Sequence, residues 1–248
     1  YEAVIAAHTG HVNCHETGAI EATGHKVCTA HSPDGKVTPA MVESVLAIHA
    51  DGGEHMVSPR LVYISDTTEI GTVYTKAELI ALRHCCDEHG LLLFLDGARL
   101  GSALTSPEND LTLPELAALT DVFTIGGTKN GTLFGEAVIM TVPCAHFRWH
   151  MKQRGGMLAK GRLLGVQFLT ILKDNLYFDI ARHANEMAFR LRDGFLALGY
   201  QFPVPSPSNQ QFPVMKVQTA EKLAAMGFEF QVERPIDEEH TMYRFVTS

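Results

Sequence analysis

Charged residues stand at three places where long apolar runs stop. Lys129 follows DVFTIGGT within "GGTKNG", Asp96 closes LLLFLD within "DGARLG", and Asp66 and Glu69 follow LVYIS within "SDTTEIGTV". Each run has the β-branched, aromatic and aliphatic content of a buried strand. Open α/β sheets bind their ligands at the carboxyl ends of such strands. An unpaired charge buried there is expensive, so each of these residues needs a partner or a task.

One chemistry fits Asp96 and Lys129 together. A partly desolvated lysine loses its proton more readily and adds to an aldehyde as an imine, and pyridoxal phosphate is the commonest aldehyde of this kind. A carboxylate on a neighbouring strand would keep the pyridine nitrogen protonated, so that the ring acts as an electron sink. Spacing alone leaves a structural ion pair between Asp96 and Lys129 equally open.

The elements that must position these residues alternate between strand and helix, the pattern of a mostly parallel sheet covered on both faces. YEAVIAA reads as a strand, "ETGAIEATG" as a helix closed by Gly24, and HKVCTAH as a short strand. Thr38 followed by Pro39 opens a helix through about Ala50, by an N-cap with proline in the first turn. Thr75 with Glu78 and Thr112 with Glu115 have the spacing of capping boxes. Lys129 is expected in a tight turn between two strands, and a long amphipathic helical region is expected from Lys160 to about Leu198. "FPVPSPSNQQFPV" then reads as a hinge into a small α+β part with helix AEKLAAMG and strands FEFQV and YRFVT.

Composition narrows the function. At 248 residues, 46% hydrophobic and 19% charged, the chain has enough apolar content for a large core and too little charge for a disordered one. A net charge of -8 argues against nucleic acid as a partner and favours small molecules or further copies of the chain. Five cysteines with no CxxC pair indicate neither a disulfide framework nor a zinc knuckle, which suits a reducing cytoplasm. No run has the apolar length of a membrane span and none resembles a signal peptide.

Other features carry blander readings. His8, His11, His15 and Cys14 lack the spacing that would put all of them on one face, so no metal site is expected. GGTKNG fails the GxxxxGK spacing of a phosphate-binding loop. Lys160 and Arg162, in "RGGMLAKGR", read as part of a solvated loop or as contacts to a cofactor phosphate across a subunit interface. Cys85 and Cys86 read as core or subsurface thiols.

Taken in order, "HTGHVNCHETGAIE", "ISDTTEIGTV", "FLDGARLGSAL", "LTDVFTIGGTKNG" and "TMYRFVTS" resemble the low-specificity threonine aldolases of the β-eliminating lyase group. The resemblance implies a pyridoxal-phosphate enzyme with the fold of aspartate aminotransferase: a large α/β domain over residues 1–200 without its N-terminal part, and a small α+β domain over 201–248 without its C-terminal end. It implies that Lys129 is the Schiff-base lysine, that Asp96 pairs with the pyridine nitrogen, and that His11 stacks on the ring. Arg99 and Arg244 match arginines that hold the substrate's α-carboxylate, a task that suits the guanidinium fork, and Arg99 thereby also borders the cofactor.

Two departures from the family pattern stand out. Glu69 occupies the position of a second active-site histidine, which leaves Glu69, His11 or a water to deprotonate the substrate hydroxyl. The family's phosphate-gripping loop corresponds to residues ahead of Tyr1. The implied reaction is cleavage of L-threonine, L-allo-threonine or a related β-hydroxy-α-amino acid to glycine and an aldehyde. β-Elimination or transamination on the same cofactor, and a non-catalytic interaction protein, are the alternatives. The family's habit implies a homodimer or homotetramer with shared active sites.

Overall fold

A computed structural model describes residues Tyr1 to Ser248. Six strands, β1 (Glu2–Ala7), β2 (Lys26–Ala30), β3 (Ser58–Ser65), β4 (Leu92–Asp96), β5 (Val122–Ile125) and β6 (Ala137–Met140), form one sheet in the order β2-β1-β3-β4-β5-β6. The first five are parallel and β6 runs antiparallel to β5, so the sheet is mixed at one edge. Parallel neighbours require crossovers, and α2 (Pro39–Asp51), α3 (Lys76–His89) and α5 (Leu113–Leu119) supply them.

These helices begin where their caps dictate. Thr38 accepts from the Met41 amide, while Thr75 with Glu78 and Thr112 with Glu115 each form a reciprocal capping box. Their buried faces meet Ile5, Val62, Leu93 and Leu95, none of which has any exposed surface. Full burial of one such side chain stabilises the fold by about 1.5–3 kcal/mol. The two-residue period of a strand then sends the intervening side chains to the opposite face. In β3 and β4 these are Tyr63, Ser65, Phe94 and Asp96, paired in register as Tyr63 with Phe94 and Ser65 with Asp96.

A second sheet, wholly antiparallel, follows. Strands β7 (Gln210–Gln211), β8 (Val214–Lys216) and β9 (Gln231–Pro235) all pair with β10 (His240–Val246), and α9 (Val217–Ala225) packs beside β8. Between the sheets lie α6 (Phe147–Gln153), α7 (Arg162–Leu172) and α8 (Leu176–Ala197). Short helices α1 (His11–Cys14) and α4 (Leu100–Leu104) follow β1 and β4. No helix is long and apolar enough to cross a membrane.

Four expectations are corrected. The segment after Glu16 is not a helix: Thr17 and Gly18 take φ of 55° and 70°, which breaks helical continuity and leaves one 3-10 turn at Glu21–Thr23. The helical region after Lys160 is two helices, divided where Asp174 and Asn175 take φ of 53° and 62°. The connection holding Lys129 spans residues 126–136 and is a broad loop instead of a tight turn. The Pro/Ser-rich stretch, expected as a hinge, is a buried strap from Ser206 to Pro213. Ser206 donates to the Gly71 carbonyl, the Asn209 amide donates to Ser102, and Gln210 donates to the Thr68 carbonyl.

Candidate active site

The carboxyl ends of β1, β3, β4 and β5 open into one cleft of about 1190 Å³, closed on its far side by the second sheet. His11 enters from the start of α1, Glu69 from the loop after β3, Asp96 from the end of β4, Arg99 from the turn after it, Lys129 from the loop after β5, and Arg244 from β10. His11, Glu69, Asp96, Arg99, Lys129 and Arg244 therefore line the same cavity, whereas Asp66 is buried outside it and accepts from the Tyr74 amide at 3.4 Å. The ends of four strands of the first sheet, with β9, β10 and α9 of the second part, converge on it.

Two glycines bring the β4 and β5 ends together. A Cβ on Gly97 would lie 2.0 Å from the Thr124 carbonyl oxygen, and one on Gly126 would lie 2.3 Å from the Ala98 carbonyl oxygen. Only bare backbone fits at either point. The Gly97 amide donates to Thr124 Oγ1 at 2.8 Å, and the Gly126 amide donates to the Gly97 carbonyl at 2.9 Å. The end of β4, which carries Asp96, and the start of the loop that carries Lys129 are thus locked side by side.

Asp96 is held at both oxygens. The Tyr63 hydroxyl donates to Oδ2 at 2.6 Å and the Ala98 amide to Oδ1 at 3.0 Å. Burial, followed by the Asp96 charge, pushes the Tyr63 phenol far above its ordinary range, so it stays a donor. The Tyr63 ring stacks on Phe94 at 5.0 Å between centroids. The cleft floor is thus a rigid aromatic pair carrying one fixed carboxylate.

The cations have few partners. Lys129 keeps a solvent-accessible side chain at the cleft wall, yet desolvation by the surrounding protein, then Arg99, lowers its ammonium below the usual range; Asp96 and Glu136 oppose the shift. Desolvation and then Arg244 pull Arg99 down to about 10. The Nε atoms of Arg99 and Arg244 are buried and without hydrogen-bond partners. Arg244 donates to Gln231, which faces it across β9 and β10. Two guanidinium groups, Arg244 lowering the proton affinity of Arg99 and neither held in an ion pair with a cleft carboxylate, fit an anionic ligand.

Glu69 is the opposite case. Ser65 Oγ donates to its Oε1 at 2.6 Å and the His11 amide to the same atom at 2.8 Å. Burial nevertheless raises its carboxyl above the usual carboxylate range, and these hydrogen bonds only partly offset that. The His11 Nδ1 lies 2.5 Å from Glu16 Oε1, so the ring is oriented by a carboxylate on its own loop.

Sequence reasoning passed over Tyr63, Glu16 and Glu136, and over the wall formed by Phe228 to Gln231, all of which line the cleft. Alternation along β3 places Tyr63 on the face of Ser65, two residues before the strand end, and that signal was available. Phe228 to Gln231 were expected within a strand, whereas β9 begins at Gln231 and the preceding three residues line the cleft without regular secondary structure. Asn209 lies behind Arg99 and Lys129, bordering a small gap with Asn130 and Tyr177, and outside the cleft itself. Lys160 and Arg162 do not line the cleft.

The Tyr63–Asp96 bond gives one expected outcome. Tyr63→Phe leaves one oxygen of Asp96 without its donor and is expected to lower stability by about 1–3 kcal/mol. Calorimetric melting measures the loss, and an unchanged melting temperature would contradict a stabilising bond.

The family model for beta-eliminating lyases matches residues 1–218. The chain belongs to the beta-eliminating lyase family. Within this family, the low specificity L-threonine aldolase of Pseudomonas sp. (strain NCIMB 10558) is 35% identical over 238 residues, covering 93% of this chain and 67% of the relative. That of Pseudomonas aeruginosa is 33% identical over 235 residues with the same two coverages. A solved structure of Leishmania major threonine aldolase is 51% identical, superposes with a TM-score of 0.95, and is matched over 100% of this lyase chain and 72% of its own. A Thermus thermophilus aspartate aminotransferase double mutant, at 14% identity and a TM-score of 0.69, shares the fold alone. The architecture is that of the fold-type I pyridoxal-phosphate enzymes.

Proposed function

We propose that this lyase is an aldolase using pyridoxal phosphate, cleaving L-threonine, L-allo-threonine or a related β-hydroxy-α-amino acid to glycine and an aldehyde. The observation that carries the reading is the convergence of Lys129, Asp96 and two sparsely partnered arginines in one cleft. The names of the Pseudomonas and Leishmania relatives support it. When bound, pyridoxal phosphate supplies an electron sink for the pair left on Cα as a bond to that carbon breaks.

The donor set fits that cofactor. Lys129 offers an amine whose ammonium is already weakened, and Asp96 a fixed carboxylate for a protonated ring nitrogen. His11 would lie against the ring. Arg99 and Arg244 would grip the substrate's α-carboxylate, whose charge satisfies their buried Nε atoms. Holding the carboxylate fixes which bond to Cα stands perpendicular to the ring. For C–C cleavage that bond must be Cα–Cβ.

Glu69 is our candidate for the group that takes the β-hydroxyl proton. A carboxyl raised above its usual range holds a proton more firmly than a surface carboxylate, which makes it a stronger base once ionised. The sign follows directly: Glu69 must lose its own proton to act, so activity rises with pH through its raised pKa. Glu69→Gln is expected to lower kcat by about 10²–10³ and to remove that rising limb, with KM little changed. Unaltered kcat with the limb intact would pass the role to His11 or to water.

We place the enzyme in the cytoplasm as a homodimer or homotetramer with sites shared between subunits. Five free cysteines support a reducing compartment. Leu133, Trp149 and Leu169 are 84%, 72% and 70% exposed on the segment that also carries Lys160 and Arg162, and exposed apolar surface of this kind suits a subunit interface. The functional test is product analysis with the full-length protein and added cofactor. Acetaldehyde from L-threonine or L-allo-threonine is the expected product. Pyruvate alone, released from serine or cysteine, would replace the aldolase by a β-eliminating lyase.

A further inference from the structure

Away from the cleft, the helical layer holds a second grouping of chemically active side chains. Cys85 and His89 are four residues apart on α3, which puts them on one face of that helix. Glu43 reaches the same point from α2. The thiol sulfur, an imidazole nitrogen and a carboxylate oxygen all lie within 4.8 Å of one another. Cys85 is buried at 4% exposure, while Glu43 and His89 stand at the rim.

The surroundings leave Glu43 and His89 available, and the Cys85 thiol makes only a long hydrogen bond, 4.0 Å, to the Pro39 carbonyl. The cations of α3 are committed elsewhere, Lys76 to Glu115 and Arg83 to Asp87 and Asp121. Further along α2, His49 is taken by Cys28 and by the Val45 carbonyl. Neither Glu43 nor His89 forms an ion pair, and Glu88 adds another carboxylate one turn from Cys85. The locality is therefore acidic, donor-rich and short of a cation.

We propose that Glu43, Cys85 and His89 bind a zinc-class divalent cation that ties α2 to α3, with water completing a tetrahedral set. A thiolate with an imidazole selects borderline-soft ions over magnesium or calcium, which prefer all-oxygen sites. Zinc bonds of about 2.3 Å to sulfur and 2.0 Å to nitrogen put donors roughly 3.5 Å apart. The two exposed side chains need to draw in by about 1 Å to meet that spacing, a rotamer adjustment. On binding, the Cys85 thiol releases its proton to solvent and the sulfur lone pair bonds the metal. None of the three residues lines the catalytic cleft, so the site is independent of the proposed reaction.

The test is zinc chloride titration of the holoenzyme by calorimetry, alongside Glu43→Gln, His89→Ala and Cys85→Ser. One zinc per chain is expected, with a raised melting temperature, and each substitution is expected to weaken affinity at least about tenfold while leaving aldol cleavage unchanged. Cobalt substitution gives a second readout: a near-ultraviolet thiolate charge-transfer band in the holoenzyme difference spectrum, lost in Cys85→Ser and kept in Cys14→Ser. Should Cys85→Ser fail to fold, the two rim substitutions carry the same comparison. Absence of stoichiometric zinc, or zinc affinity undiminished by Glu43→Gln and His89→Ala, overturns the site.

Discussion

Lys129→Ala is expected to lose the visible absorbance of bound pyridoxal phosphate and to reduce aldol cleavage by at least about a thousandfold, the scale on which loss of a covalent catalytic group is felt. The size of the effect follows from position. Lys129 is the lysine that lines the cleft, its ammonium is lowered by desolvation and by Arg99, and the start of its loop is locked beside the end of β4 that carries Asp96. No other cleft residue supplies a primary amine. The fold should not suffer, because the Lys129 side chain makes no ion pair and is solvent-accessible. A melting temperature within a few degrees of the parent, measured together with the spectrum, separates lost chemistry from lost structure. Retained absorbance in Lys129→Ala would move the imine to another lysine.

Asp96→Asn is the second large effect, with kcat expected to fall by about 10²–10⁴ at saturating cofactor. A carboxylate stabilises a proton on the pyridine nitrogen, whereas a neutral amide does not. The change also frustrates a local network. Tyr63 and the Ala98 amide each donate to a different oxygen of Asp96. Asparagine has one acceptor oxygen, so one donor faces an NH₂ group and is left unsatisfied, at a cost of about 1–3 kcal/mol. Calorimetric melting gives that structural loss, and kinetics give the catalytic one. Full turnover in Asp96→Asn would leave Asp96 as a structural acceptor for Tyr63 and the Ala98 amide, with no part in the chemistry.

Much of this site was legible because its residues violate the pattern around them. Asp96 and Lys129 end apolar runs, and the strand interiors predict burial so firmly that the charges stand out. The capping boxes at Thr75 and Thr112 were legible for a similar reason: they are local, and each needs only four residues to act. What eluded sequence reasoning depends on tertiary partners or on single backbone angles. Tyr63 has the composition of an ordinary strand residue until register sets it opposite Phe94 and in reach of Asp96. The left-handed residues at Thr17, Asp174 and Asn175 interrupt helices that composition alone would continue. Ser206 to Gln211 have the composition of a linker, yet their polar groups find buried partners on the loops around Gly71 and Ser102.

The Glu69 substitution shows where a resemblance and a structure contribute different things. The resemblance draws attention to the position, where it implies an imidazole and this chain has a carboxyl. The fold then supplies the physical setting: a buried carboxyl, held by Ser65 and the His11 amide, with its proton affinity raised. A group so placed keeps its proton to higher pH than an exposed glutamate would.

The central claim is tested most directly by borohydride reduction of the full-length protein with added pyridoxal phosphate, followed by peptide mass mapping. We predict a pyridoxyl group on Lys129, with labelling reduced when L-threonine is present during the reduction. A pyridoxyl group confined to surface lysines such as Lys173 or Lys216, or labelling of Lys129 indifferent to L-threonine, would contradict the account.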